Sequence, residues 1–379
     1  MKKIIVAAAI LAVSASIRLN ADTSWIVQPV ATSSKSMQVF TSRSGGKTPR
    51  PLKLYYNKRI DKKSFANLRS GTDGTFCYAG INERGLVVVF SGTDKTRDTP
   101  VKPKGKQTLL TGNFIVGHLL TRCGSVKQAT DRLRQLARSG FVANSLIVFL
   151  ADAKQAMIFE IAPRHYATMR LGLHYTVYAN RWKLPGMEDA SVRKPWEAQG
   201  SMQEEWAAKE AIYRARGGMN GKLSIPASFA ISRLNVADIK VKGIGRAPCS
   251  RNTADAYLFE IDPEFPGILS CVYASFGPPR QTVYLPIPVG AMDALPKEAA
   301  NAVWAKSSTE MNRKAPANAP APSDLAEFEK YLLQELNDVR HQARKLLREK
   351  KTEEAKALLR DLLRRQSAET LKFMRERSK

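Results

Sequence analysis

The sequence predicts an α+β fold: two antiparallel sheets stacked face to face, covered by helices, with a helical hairpin at the C-terminus. Three observations lead there. Segments come in the order strands, two helices, strands, helices, strands, which suits two packed sheets with helical outer layers. Short β-branched runs bounded by glycine, proline and asparagine turns alternate with stretches of helical periodicity. Asp324 to Lys379 is amphipathic throughout, in a chain whose 379 residues and 44% hydrophobic content support a large core and exclude wholesale disorder.

Taken in order, Met1-Lys2-Lys3 and the apolar run Ile4 to Val13 read as an export signal over 1–21, with cleavage expected behind Leu19-Asn20-Ala21. Asp22 then carries the free α-amine of the mature chain. Thr23 to Pro29 and Met37 to Thr41 are strands joined by a small, polar turn; Leu52 to Tyr56 resumes a strand pattern after Ser44-Gly45-Gly46-Lys47-Thr48-Pro49. Asn82-Glu83-Arg84-Gly85 is a tight turn, and the run behind it to Phe90 a buried strand. Residues 91–108 are polar and read as a surface loop.

Asn113 to Cys123 carries apolar residues at helical spacing, and Ser125 caps a second helix with Val126, Ala129, Leu133 and Leu136 on one face. Asn144 to Leu150 and Ala156 to Ile161 are strands around the Asp152-Ala153-Lys154-Gln155 turn; Tyr175 to Asn180 is another. Residues 200–217 and 225–235 are helical, and the last strands are Ala254 to Ile261, Ile268 to Ser275 and Gln281 to Pro286. These complete a main domain over 22–305. Residues 306–323 have the Ala/Pro-rich composition of a linker. In 324–379, Leu325, Phe328, Leu332, Leu336, Val339 and Ala343 make one stripe. Leu358, Leu359, Leu362 and Leu363 make a second beyond a break at Lys350-Lys351-Thr352, which reads as a helical hairpin or short coiled coil.

The formal net charge is +26, which favours anionic surfaces in general. Its cations are scattered, with no zinc-finger spacing, no RNA-binding signature and no basic block interleaved with aromatics, so no specific nucleic-acid partner is expected. The four histidines lack metal-binding spacing, so neither a metal nor a cofactor is expected. The four cysteines include no C-x-x-C pair; a Cys249–Cys271 disulfide and buried free thiols are both open. No apolar run after residue 21 approaches the roughly 20 residues of a membrane span. The expected location is periplasmic or secreted.

The pieces ADTSWIV, GINERGLVVVFS, NSLIVFLADAKQAMIFEIAP, VYANRW and SRNTADAYLFEIDPEFPGILSCVYASFGPPRQTVYLP occur here in that order over residues 22–290. Together they resemble the N-terminal-nucleophile (Ntn) hydrolases that cleave linear amides: choloylglycine hydrolase, penicillin V acylase, the isopenicillin N acyltransferases and related dipeptidases. The resemblance implies a four-layer αββα sandwich and a small acyl-amide or peptide ligand. In that family an N-terminal cysteine attacks the amide carbonyl with its own α-amine as base, and an α-amine near pKa 7.7–8.0 suits that role. Asparagine side chains hold the developing oxyanion.

Carried over by motif, Asn82 and Asn180 fall at the oxyanion asparagines, Arg43 at an arginine near the nucleophile, and Arg251 at the late arginine, with Arg246 a competing choice. Two positions depart. The family reads Ala-Cys-Thr-Ser-Trp where this chain reads Ala21-Asp22-Thr23-Ser24-Trp25, so a carboxylate occupies the nucleophile position. A carboxylate is a weak nucleophile towards an unactivated amide, and its charge raises the adjacent amine's pKa. Ser44 stands where an aspartate is usual.

These departures imply a degenerate site retaining an acyl-amide or peptide pocket. Alternatives are an active enzyme using Thr23 after further trimming, and an envelope protein using its basic surface and C-terminal helices. Cys77, though near the Asn82 turn, reads as structural. An anionic envelope surface and self-association through 324–379 are the remaining partner expectations.

Overall fold

Runs such as Leu86 to Phe90 and Leu146 to Leu150 are apolar at nearly every position, the pattern of strands buried on both faces. The computed structural model describes residues 23–44, 53–71, 77–93, 109–139, 141–142, 145–163, 165–172, 174–187, 199–239, 241, 245–250, 252–316 and 319–379. The strands are Thr23–Val27 (β1), Met37–Ser44 (β2), Lys53–Asn57 (β3), Asn67–Gly71 (β4), Cys77–Asn82 (β5), Val87–Gly92 (β6), Leu109–Leu110 (β7) and Phe141–Val142 (β8). They continue with Leu146–Ala151 (β9), Ala156–Ile161 (β10), Tyr166–Arg170 (β11), Tyr175–Ala179 (β12), Thr253–Ile261 (β13), Cys271–Ser275 (β14) and Tyr284–Pro288 (β15). The helices are Gly112–Arg122 (α1), Val126–Ser139 (α2), Gln199–Ala215 (α3), Ile225–Ser232 (α4), Lys297–Ala300 (α5), Ala305–Lys314 (α6), Ser323–Arg348 (α7) and Thr352–Arg377 (α8).

Two antiparallel sheets result, ordered β12-β1-β2-β13-β14-β15 and β11-β10-β9-β6-β5-β4-β3. Helices α1 and α2 cover the second sheet; α3, α4, α7 and α8 cover the first. The architecture is therefore αββα. Strand alternation sorts β1 between two cores. Ile26 joins the core between the sheets, whereas Trp25 and Val27 face the outer helices with Phe40, Ile212 and Phe229. Trp25 stacks on Phe40 with ring centroids 3.7 Å apart.

The expected caps and turns are present. Ser125 Oγ accepts from the Gln128 amide at 3.3 Å. Asp152 accepts from the amides of Lys154, Gln155 and Val126, closing its turn and anchoring α2. The break between α7 and α8 falls at Lys350 and Lys351, with Lys350 at φ +65.

Tertiary context adds what local pattern does not carry. Strand β4 reads as polar, yet it is central enough to bury Ser70 and Asn67, with Arg69 donating to Thr121 and the Gly117 carbonyl of α1. Lys306 to Lys314, inside the stretch with linker composition, is helical, and Ser308 Oγ donates to the Ala305 and Phe276 carbonyls. The C-terminal hairpin is part of the outer layer, with Leu336 and Leu362 in its core. Buried ion pairs fasten it: Arg340 to Glu260 at 2.6 Å and Arg233 to Glu329 at 2.6 Å. All four cysteines are buried and free, so the Cys249–Cys271 disulfide is not formed.

Candidate active site

The start of β1 is the point to which the family chemistry refers, and strand register shows what surrounds it. Thr23 pairs with Ala179 of β12, and Ser24 pairs with Thr41 of β2. Asn180 lies one residue beyond Ala179, and Arg43 two beyond Thr41. The two therefore bracket the N-terminal end of β1 from its neighbouring strands, about 10 Å apart across one intervening strand.

Arg43 faces the space between the sheets, on the side that carries Val39 and Thr41. Its guanidinium donates from Nε to Asp255 Oδ2 at 3.1 Å, and a second nitrogen lies 3.0 Å from the same oxygen. Asp255 is on β13, paired with Arg43 in the ladder, and is fully buried. Tyr78 of the opposite sheet donates its hydroxyl to the other Asp255 oxygen, so one carboxylate ties three strands and both sheets together. Burial pushes the Asp255 carboxyl up, against the Arg43 cation and the bonds from Tyr78 and Arg43. The Tyr78 phenol is raised well above its ordinary range by burial and by the Asp255 charge. Asp255 thus gives the buried Arg43 cation its counter-charge.

Asn180 has φ +50, a left-handed conformation that asparagine tolerates better than most residues. This turns its amide off the end of β12 and across to the second sheet. There Ser91 Oγ donates to Asn180 Oδ1 at 3.2 Å, and Thr93 donates to its carbonyl at 3.4 Å. The group beside Asn180 is the far end of β6.

Asn82 stands elsewhere. It ends β5 at the hairpin turn, whereas Ser91 lies four strand positions beyond Val87, about 13 Å away along β6. Its amide is fully committed to backbone: Nδ2 donates to the Leu120 and Cys123 carbonyls at 2.9 and 2.7 Å, and Oδ1 accepts from Arg84 and Leu86 at 3.0 and 3.1 Å. With no exposure and all its hydrogen-bonding capacity used, Asn82 locks the turn to α1 and is not brought to Arg43 and Asn180. Gly85 closes the same turn at φ +79, against Pro266. Asp22 and Arg251 lie outside the described residues, as do the export signal and residues 94–108 and 188–198. Arg246, the competing arginine, is exposed beside Gly200 at the first turn of α3.

Three acidic residues that sequence reasoning missed lie around this end of the sandwich. Asp255 is one. Glu204 of α3 is buried and accepts from the Thr23 hydroxyl on the outer face of β1. Burial raises its carboxyl to about 7, opposed by the Thr23 bond and the Arg246 charge. Glu205 gathers Arg181 at 2.9 Å, Lys209 at 3.1 Å and Lys183. Burial opposes its ionisation, but the three cations more than offset that and hold the carboxyl below its ordinary range. Burial brings the Lys183 ammonium down to about 8, against the pull of Glu205. The sequence signal for these residues was weak, because paired glutamates on an amphipathic helix ordinarily face water.

Cys77 has its thiol raised to about 12 by burial, fitting a structural role. No group of three metal-binding side chains exists among the described residues. A cleft of about 690 Å³ opens at the opposite pole, lined by Tyr56, Glu83, Arg84, Asp152, Phe265 and Arg360 among others. Its size suits a small ligand, but Arg59 pairs with Glu83, Arg360 pairs with Asp293, and none of the residues around the start of β1 reaches it.

Residues 48–211 match the family model of the acyl-coenzyme A:6-aminopenicillanic acid acyl-transferases. A comparison with curated proteins finds no match. Similar solved structures include penicillin V acylase from Agrobacterium tumefaciens, at 14% identity and TM-score 0.42, covering 68% of this chain and 84% of that one. Another is a variant of conjugated bile acid hydrolase from Clostridium perfringens, at 8% identity and TM-score 0.44, covering 67% and 89%. Residues 48–211 thus carry the pattern of that acyl-transferase family, in a chain whose two stacked antiparallel sheets and helical outer layers form an αββα sandwich.

Proposed function

We propose that this protein is an exported homologue of the linear-amide hydrolases and acyltransferases that has lost its cysteine mechanism and retains a binding site for an acyl-amide or peptide. The observation that supports this most is the bracketing of the start of β1 by Arg43, with its buried partner Asp255, and by Asn180. A cation and an amide donor flank the start of β1, and the residue that precedes this strand in the sequence is the carboxylate Asp22. Acyl transfer through a carboxylate would require an anhydride, and a negative charge beside the α-amine makes it a poorer base at neutral pH.

Use of Thr23 is the second reading, favoured by the Glu204 carboxyl at its hydroxyl. Against it, Thr23 shares the outer face with Trp25 and Val27, whereas Arg43 and Asp255 face the opposite sheet.

The test is Asp22→Cys, assayed on N-acyl amino acids, conjugated bile salts, penicillin V and dipeptides, with mass spectrometry of the mature N-terminus. Turnover in the variant and none in the parent is expected. Turnover by parent protein beginning at Asp22 would end this reading, and a mature chain beginning at Thr23 would favour the second.

A further inference from the structure

Helix α3 is apolar on two sides. Ala207, Ala208 and Ile212 pack on the first sheet, as its place in the sandwich requires. The outer side repeats Met202, Trp206, Lys209 and Tyr213 at i, i+4, i+7 and i+11, one stripe about 17 Å long. Met202 is 47% exposed, Trp206 40% and Tyr213 42%, and Met219 just beyond the helix is 61% exposed. A surface helix ordinarily carries polar residues on that side. Two large aromatics and a methionine there amount to an exposed apolar ridge, with Met219 just past the helix end.

Among the described residues, the charge beside the ridge has one sign in excess. Arg181, Lys183 and Lys209 share the single carboxylate of Glu205, which is itself buried, so positive charge remains at the surface. Arg214 and Glu210 cancel along the helix, Glu204 is buried against Thr23, and Arg246 stands exposed at the first turn. Tryptophan, tyrosine and methionine rising between lysine and arginine form the pattern of an interfacial helix. The apolar bodies enter the acyl boundary and the cations meet phosphate. The whole chain's charge of +26 adds long-range attraction to an anionic bilayer.

We infer that α3 docks this protein on an anionic lipid surface, with Met202, Trp206 and Tyr213 inserted and Lys209 and Arg181 at the headgroups. Charge complementarity selects lipid as the occupant: exposed apolar side chains among surplus cations fit a fluid anionic surface. The inference is independent of whether the amide site retains activity.

The full chain is sedimented with vesicles of phosphatidylglycerol and phosphatidylcholine in equal parts, and with phosphatidylcholine alone, at low and at physiological salt. Binding is expected on the anionic vesicles only. It falls about tenfold or more in the Met202→Ser, Trp206→Ser, Tyr213→Ser triple variant, and falls less in Lys209→Glu. Brominated acyl chains quench part of the wild-type tryptophan emission and lose that effect in Trp206→Phe, a variant that keeps the ridge. Circular dichroism checks that each variant is folded. No binding to anionic vesicles, equal binding to phosphatidylcholine, or undiminished binding by the folded triple variant would each overturn the inference. The last would assign binding to diffuse charge instead.

Discussion

Glu204 carries a penalty that a single atom exchange removes. Its carboxyl is buried under α3, bonded to the Thr23 hydroxyl, and raised from 4.5 to about 7. Because the folded pKa lies above the unfolded one, the stabilisation is complete below 4.5 and is lost as pH rises through about 7. At 1.36 kcal/mol per pH unit, the wild-type protein loses about 3 kcal/mol at this one site between pH 4.5 and pH 8. Glu204→Gln keeps an acceptor for Thr23 and never ionises. The variant and parent are therefore expected to unfold at similar urea concentrations at pH 5, with the variant more stable by up to about 3 kcal/mol at pH 8. Subtracting one urea series from the other at each pH cancels the contributions of Asp255 and Lys183, which both proteins share. A difference that does not change between pH 5 and pH 8 would refute the reasoning, as would a parent more stable than the variant at pH 8.

Two other substitutions test how the site and the hairpin are held. Arg340→Ala leaves Glu260 buried without its cation, and should cost about 3–5 kcal/mol in urea unfolding. The double change with Glu260→Leu should recover much of that, and an Arg340→Ala cost below about 1 kcal/mol would show that the pair does not fasten α7. Asn82→Ala strands two carbonyls and two amides at the β5–β6 turn, and is expected to cost about 2–4 kcal/mol. Placed in the Asp22→Cys background, it should leave turnover of the folded protein unchanged. A loss of kcat at constant KM would instead return Asn82 to the oxyanion site.

Local sequence determined a good deal here. Periodicity and turn chemistry marked β1, β2, β6, β9, β10, β12 and β13, both helices over the second sheet, and the hairpin break at Lys350, because these depend on neighbours a few residues apart. The carboxylate at position 22 is likewise plain in the sequence. The electrostatics of the site was not legible. Arg43 meets Asp255 across 212 positions, and Thr23 meets Glu204 across 181, so no local pattern could pair them. The same limit explains Asn82 and Asn180, both read as asparagines at strand ends. Only the tertiary packing decided that one is consumed by its own turn and by α1, while the other crosses between the sheets to Ser91 beside the start of β1. Periodicity reports how deeply a residue is buried; the counter-charge or amide it meets there depends on which strands become neighbours.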